Sequence, residues 1–177
     1  MGTPDIARDA LIALLQEGHT VAGVFTRADK PVGRKQVLTP PPVKVLALEN
    51  QIPVCQPRTL REPEALETLQ KLAPELIVVV AYGRLLPPAV LELPAYGCIN
   101  LHVSLLPQYR GAAPIQWAVI NGEKTTGVTI MQLDEGLDTG PILAQQPVEI
   151  GPDDTAGHVF ESVGHIGGRL LCDTVEK

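Results

Sequence analysis

The sequence is short of aromatic residues, of cysteine and of positive charge, and each shortage removes a class of answer. Phe, Trp and Tyr make up 3% of 177 residues while hydrophobic residues reach 45%, so the core must be Val, Ile, Leu and Ala. Such a core suits parallel strands buried on both faces. Cys55, Cys98 and Cys172 are an odd number without metal-type spacing, which removes a disulfide framework and a zinc site. The formal charge of -6 excludes a nucleic-acid surface over the whole chain but leaves room for a local basic patch. No apolar run approaches membrane-spanning length and no signal peptide is evident, so the expectation is a reduced, cytoplasmic, monomeric protein without a membrane partner. A single glycine, Gly2, stands in the first turn where G-x-G-x-x-G would mark a dinucleotide fold, which weighs against a nicotinamide oxidoreductase.

The length suits one domain with a sizeable core, expected to span 1–177. Met1 to Asp5 reads as a turn from a strand into a helix, with Thr3 as a cap and Pro4 at the first helical position. The helix runs to about Gly18 on a stripe of Ile6, Ala10, Leu11, Leu14 and Leu15. Such a turn should follow a strand, so a truncated first strand is expected. Val21–Thr26 and Pro53–Gln56 read as short strands, and Val43–Asn50 and Glu62–Leu72 as helices. Leu76–Ala81 is the clearest central strand. It ends in the turn Tyr82-Gly83, before a short helix over Leu85–Leu91. Ala113–Asn121 is a helix whose Trp117 is expected against the sheet. Thr126–Leu133 and Ile142–Ile150 are extended, and Asp154-Thr155 caps a last helix through Leu171. His158 and His165 share that helix face without a third metal ligand.

The chemistry gathers between Cys98 and Pro114. Cys98-Ile99-Asn100-Leu101-His102-Val103-Ser104 alternates with a period of two, which points Leu101 and Val103 inward and sets Asn100, His102 and Ser104 in one row. An amide, an imidazole and a hydroxyl in a row are costly to bury unless they bind each other or a ligand. Pro107, Gly111 and Pro114 then shape a loop at a strand's carboxyl end, where open α/β sheets place their sites. Asp138 lies on the acidic loop Asp134–Gly140 and can reach His102 if the two strands are neighbours. A carboxylate beside an imidazole, with an amide donor nearby, provides the parts for acyl-type transfer to an amine. Asp138-Thr139-Gly140 occurs once in a chain without a second barrel, a poor fit to an aspartic protease. Between Arg27 and Lys44 the chain is irregular, proline-rich and basic, carrying Arg27, Lys30, Arg34, Lys35 and Lys44 against Asp29 alone. Such a loop fits a polyanionic partner.

On M-G-T-P-D at 1–5, P-V-G-R-K-Q-V-L-T-P-P-P-V-K at 31–44, V-V-V-A-Y-G at 78–83, G-C-I-N-L-H-V-S-L-L-P-Q-Y-R-G-A-A-P-I-Q at 97–116 and T-G-V-T-I-M-Q-L-D-E-G-L-D-T-G at 126–140, the chain resembles the methionyl-tRNA formyltransferases over essentially its whole length. The resemblance implies a Rossmann-like α/β fold with a mostly parallel sheet flanked by helices, 10-formyltetrahydrofolate as co-substrate, no metal, and initiator methionyl-tRNA as partner. It carries the catalytic roles to Asn100, His102 and Asp138, and folate binding to Ser104, Leu105, Leu106 and Pro107 together with Val80, Tyr82 and Gly83. Contacts to tRNA fall to Lys30, Arg34, Lys35 and Lys44. Val103 stands where the family usually has Ala or Gly, and Lys35 where it usually has Gly. The family's first strand and C-terminal β-barrel domain are expected to lie outside this sequence. A formyltransferase acting on glycinamide ribonucleotide or a nucleotide amino-sugar, and a folate-binding module without transfer, are the alternatives.

Overall fold

The computed structural model describes residues 1–177. Helices and short strands alternate in the order α1 (Asp5–Gln16), β1 (Val24–Phe25), β2 (Lys30–Val32), β3 (Val37–Thr39), α2 (Pro42–Glu49), β4 (Val54–Cys55), α3 (Pro63–Leu72), β5 (Ile77–Val80), α4 (Pro88–Leu91), β6 (Cys98–His102), α5 (Pro114–Ile120), β7 (Thr125–Gln132), β8 (Ile142–Glu149) and α6 (Ala156–Val175). β5 and β6 are parallel, with Ile77 opposite Cys98 and Val80 opposite Leu101. β7 lies antiparallel to β6, and β8 antiparallel to β7. β1 and β4 form a separate parallel pair. The Rossmann-like α/β arrangement read from the sequence is therefore present, its parallel part extended on one edge by an antiparallel pair. A short loop suffices for the β7–β8 return, whereas two parallel strands need a crossover such as the one α4 supplies between β5 and β6.

Met1 and Gly2 tie the two sheets together. The Gly2 amide donates to Phe25 O at 3.0 Å, and the Val80 amide donates to Met1 O at 2.9 Å. Only glycine fits there, since a Cβ on residue 2 would stand 2.7 Å from Val80 O. On the amino side of Met1, a slot of ≈ 830 Å³ separates β1 from β5, lined by Leu11, Leu14, Gly23, Leu72, Leu76 and Val78 among others. Residues of a strand send their N–H and C=O alternately to opposite edges. Because Phe25 O and Val78 O already face Met1–Gly2, the amides of Phe25 and Val78 and the carbonyls of Gly23 and Leu76 also face the slot. The Met1 amino group reaches into it, donating to Val78 O at 2.6 Å, and burial lowers its pKa to about 5.

Alternation along β6 decides what its two faces do. Ile99 and Leu101 enter the larger core with Ile6 of α1, Val43 of α2, and Val159 and Val163 of α6. Cys98 enters the smaller core with Phe25, Leu69 of α3 and Val90 of α4. Asn100 and His102 share the Cys98 face, and short α4 leaves that face open at the carboxyl end of the strand. The N-terminus of α6 closes as the sequence predicts. Thr155 Oγ1 accepts from the His158 amide at 3.4 Å, and His158 Nδ1 accepts from the Thr155 amide at the same distance.

Four local expectations change. β1 covers only Val24–Phe25 of the strand expected over Val21–Thr26, and the short helix is confined to Pro88–Leu91. The stretch between Arg27 and Lys44 is partly regular, because Lys30–Val32 and Val37–Thr39 pair as an antiparallel hairpin. Trp117 is 52% exposed, not packed on the sheet. The buried stripe of α5 is Ile115 and Ala118, three apart, and Trp117 lies off that stripe.

Candidate active site

His102 ends β6, and its two ring nitrogens meet different partners. Nε2 lies 2.9 Å from Tyr109 O, while Nδ1 lies 3.7 Å from Asp138 Oδ2. Both side chains are more than nine-tenths buried. Asp138 takes a left-handed backbone with φ 52°, and its Oδ2 accepts the Gly111 amide at 2.8 Å. The structure thus brings Asp138 to His102 from a different loop, as the sequence anticipates, and ties the loop at Gly111 to the loop at Asp138 through one carboxylate oxygen. Asn100 stands one pleat before His102, half-buried, on the wall of the same cleft.

That cleft encloses ≈ 680 Å³. Val80, Tyr82 and Gly83 line it, and the Arg27 guanidinium fixes the turn by donating to Gly83 O at 2.9 Å. The opposite wall is Leu133 to Asp138. Arg84, Leu85 and Leu86 also line it and were missed by sequence reasoning. Their signal was present: an apolar pair directly after the Tyr82-Gly83 turn of a carboxyl strand end. The Tyr82 hydroxyl and Arg84 Nε are buried without a partner in the chain. Burial pushes the Tyr82 phenol above its ordinary pKa. Buried donors left unpaired beside a cleft are groups that a polar ligand can satisfy.

Ser104, Leu105, Leu106 and Pro107, expected to bind a ligand, are not on this wall. β6 ends at His102, so Ser104 no longer extends the row of Asn100 and His102, and it is fully buried. Its hydroxyl donates to Gln108 O at 2.6 Å. Thr129 Oγ1 donates to Ser104 O at 2.7 Å and accepts from the Leu106 amide at 3.1 Å. Gln145 Nε2 donates to both Thr129 Oγ1 and Leu106 O at 2.9 Å. Leu105 lies across Gly127, where an added Cβ would stand 2.7 Å from Leu105 Cγ. The segment is stapled to β7 and β8, and it carries the loop that reaches His102 through Tyr109.

The basic region divides in two. Lys30, Arg34 and Lys35 are exposed on the β2–β3 hairpin. Lys44 is instead engaged: its Nζ donates to both Asp29 oxygens at 2.9 Å and to Gln56 Oε1 at 3.0 Å. Hydrogen bonds from Gln56 and Lys44 hold the Asp29 carboxyl below its usual pKa. Lys44, expected among the tRNA contacts, is thus held by Asp29 and Gln56 in a network that joins the base of the hairpin to β4. No helix is long and apolar enough to cross a membrane.

Comparison with known proteins agrees with this geometry. The family model described as Formyl transferase matches residues 1–175. A methionyl-tRNA formyltransferase of Pelotomaculum thermopropionicum is 54% identical over 176 residues, 99% of this chain and 56% of that protein. One from Geobacter metallireducens is 50% identical over 177 residues, 100% of this chain and 57% of that protein. The chain therefore spans a little over half the length of these curated relatives. Among solved structures, phosphoribosylglycinamide formyltransferase from Bacillus halodurans superposes with a TM-score of 0.80 at 28% identity, over 98% of this chain and 89% of its own. A sugar 3N-formyl transferase shares the fold with a TM-score of 0.69 at 22% identity, over 99% of this chain and 60% of its own. A match running from one end to the other, and relatives identical at about half their aligned positions, fix the kinship of the cleft and the sheet beneath it: this chain belongs to the formyl transferase family.

Proposed function

We propose that the cleft transfers a formyl group from 10-formyltetrahydrofolate to the α-amine of initiator methionyl-tRNA. The observation that carries the reading is the His102–Asp138 pair, 3.7 Å apart and buried at the cleft with Asn100 beside it, in a chain 54% identical to a methionyl-tRNA formyltransferase. The amine attacks the formyl carbon directly, because no serine or cysteine stands beside a base as a nucleophile. Asn100 donates to the oxygen as it becomes negative, His102 takes part in the proton transfer, and Asp138 stabilises the imidazolium. The new C–N bond forms first, giving a tetrahedral oxyanion, and the bond to folate N10 breaks as that adduct collapses, with one proton leaving the amine and one reaching N10.

A cleft of ≈ 680 Å³ is within the range that encloses a drug-sized ligand, and the apolar residues Val79, Leu85, Leu86 and Leu91 suit a flat heteroaromatic ring. The unpaired Tyr82 hydroxyl and Arg84 Nε supply polar contacts. A solved sugar 3N-formyl transferase of this fold is described in the presence of dTDP and 5-N-formyl-THF, which favours a folate in this chain as well. Lys30, Arg34 and Lys35 on the hairpin approach the tRNA backbone. The rival acceptor is glycinamide ribonucleotide, which the 28% identical structural neighbour favours less than the 54% identical relative favours methionyl-tRNA.

The test is a formyl-transfer assay on the chain with methionyl-tRNA and glycinamide ribonucleotide as competing acceptors. Formyl-methionyl-tRNA as the dominant product supports the reading. Formylated ribonucleotide replaces it, and transfer to neither acceptor, with a hydrolysis-resistant folate analogue failing to bind, removes it.

A further inference from the structure

We propose that Tyr109 is a positioning residue for His102, and that Nδ1 is the nitrogen of His102 that moves the reaction's proton. The first half stands on geometry alone; the second deepens the formyl-transfer reading and rests on it. A carbonyl oxygen only accepts, so the 2.9 Å contact with Tyr109 O keeps a proton on Nε2 whether the ring is neutral or charged. Nδ1 is then the nitrogen that gains and loses a proton. It is also the one that faces Asp138 Oδ2 at 3.7 Å.

Tyr109 does not hold this position by local preference. Its φ of 54° lies in the left-handed region, unfavourable for a residue with a Cβ. The side chain supplies the constraint. Its hydroxyl donates to Glu123 Oε1 at 2.7 Å and accepts from Asn121 Nδ2 at 2.9 Å. Asn121 and Glu123 follow directly on α5, which packs against α6 and β7. On the other flank Ser104 Oγ donates to Gln108 O at 2.6 Å. The carbonyl that fixes the imidazole is therefore braced by the Tyr109 phenol anchored at the end of α5, and through neighbouring Gln108 by a serine just beyond β6. Tyr109 acts through His102 and does not itself meet the reacting atoms.

On this assignment the proton moves through Nδ1. As the amine attacks, neutral Nδ1 takes a proton from the amine nitrogen while the C–N bond forms. The resulting imidazolium is stabilised by Asp138, and it returns the proton from Nδ1 to folate N10 as the C–N10 bond breaks.

Long-range ¹H–¹⁵N correlation of the imidazoles in the 177-residue chain reads the tautomer directly, with His102→Asn identifying the signal. The expected result is a neutral His102 with a protonated Nε2 and a bare Nδ1. In Tyr109→Phe, and separately in Glu123→Gln, the two tautomers mix, and kcat falls about tenfold with KM unchanged. A neutral wild-type ring protonated at Nδ1 overturns the proposal. Both variants keeping the wild-type tautomer and kcat removes Tyr109 from the role. The expected tautomer, lost in both variants of a chain that formylates nothing, upholds the positioning by Tyr109 and overturns the Nδ1 step together with the formyl-transfer reading.

Discussion

Two hollows flank β5, and they are built from opposite materials. The ≈ 830 Å³ slot beside Met1 is walled mainly by backbone edges and aliphatic side chains, and its unmet groups are peptide amides and carbonyls together with the buried Nε2 of His19. The ≈ 680 Å³ cleft at the strand ends is lined by the ends of β5 and β6 and the turns beyond them, and its walls carry Tyr82 and Arg84, each with a buried unpaired polar atom, beside Asn100 and the His102–Asp138 pair. The first hollow is complementary to any extended apolar segment, because every residue carries the same N–H and C=O. The second is complementary to one chemistry, because side chains at specified positions determine it.

The largest effect expected breaks the slot side of the comparison. The Met1 amine has a folded pKa of about 5, below its usual value near 8. Unfolded chains bind a proton there between those values and folded chains do not, so stability is full above pH 8, falls as pH drops towards 5, and is flat below. The loss is at most about 4 kcal/mol at 1.4 kcal/mol per unit. Urea denaturation between pH 5 and 8 measures the loss, and a stability that does not change over that range refutes the assignment.

Next in size is Asn100→Ala, which alters the cleft and leaves the slot alone. Loss of one oxyanion donor is worth roughly 3 kcal/mol, so turnover falls on the order of a hundredfold with little change in melting temperature. Turnover near wild type excludes Asn100 from that role. Gly127→Ala links the two kinds of material, since its Cβ would stand 2.5 Å from Gln146 O and displace Leu105. Overpacking of this kind costs about 1–3 kcal/mol, and denaturant unfolding of the variant gives the value. The smallest effect is at the hairpin. Arg34→Ala weakens tRNA binding severalfold and lowers the slope of log K against log salt by about 0.7–0.9, with folate-analogue binding unchanged; an unaltered slope removes Arg34 from the interface.

Much of this was legible in the chain itself. The period of two at Cys98–His102 predicts the strand and its two faces, and the Tyr82-Gly83 turn predicts the cleft wall. The turn at Met1–Asp5 predicts the start of α1 at Asp5. What failed did so for reasons of packing. Ser104 was placed in the polar row because nothing local shows that β6 stops two residues earlier and that Thr129 and Gln145, 25 and 41 positions away, staple the loop down. The network of Lys44 with Asp29 and Gln56 was not legible, because its members are 12 and 15 positions apart and come together only on folding.

The sequence by itself determined the alternation of helices and strands, the composition of the core, and the three residue types of the site, because period, capping and turn chemistry are local. Only the tertiary structure decided that Asp138 meets His102, that His102 Nε2 meets Tyr109 O, and that Thr129 and Gln145 hold Ser104 and Leu106 to β7 and β8. Those facts depend on contacts between residues far apart in the chain, whose distances are set by how β6, β7 and their loops pack, and no local pattern encodes them.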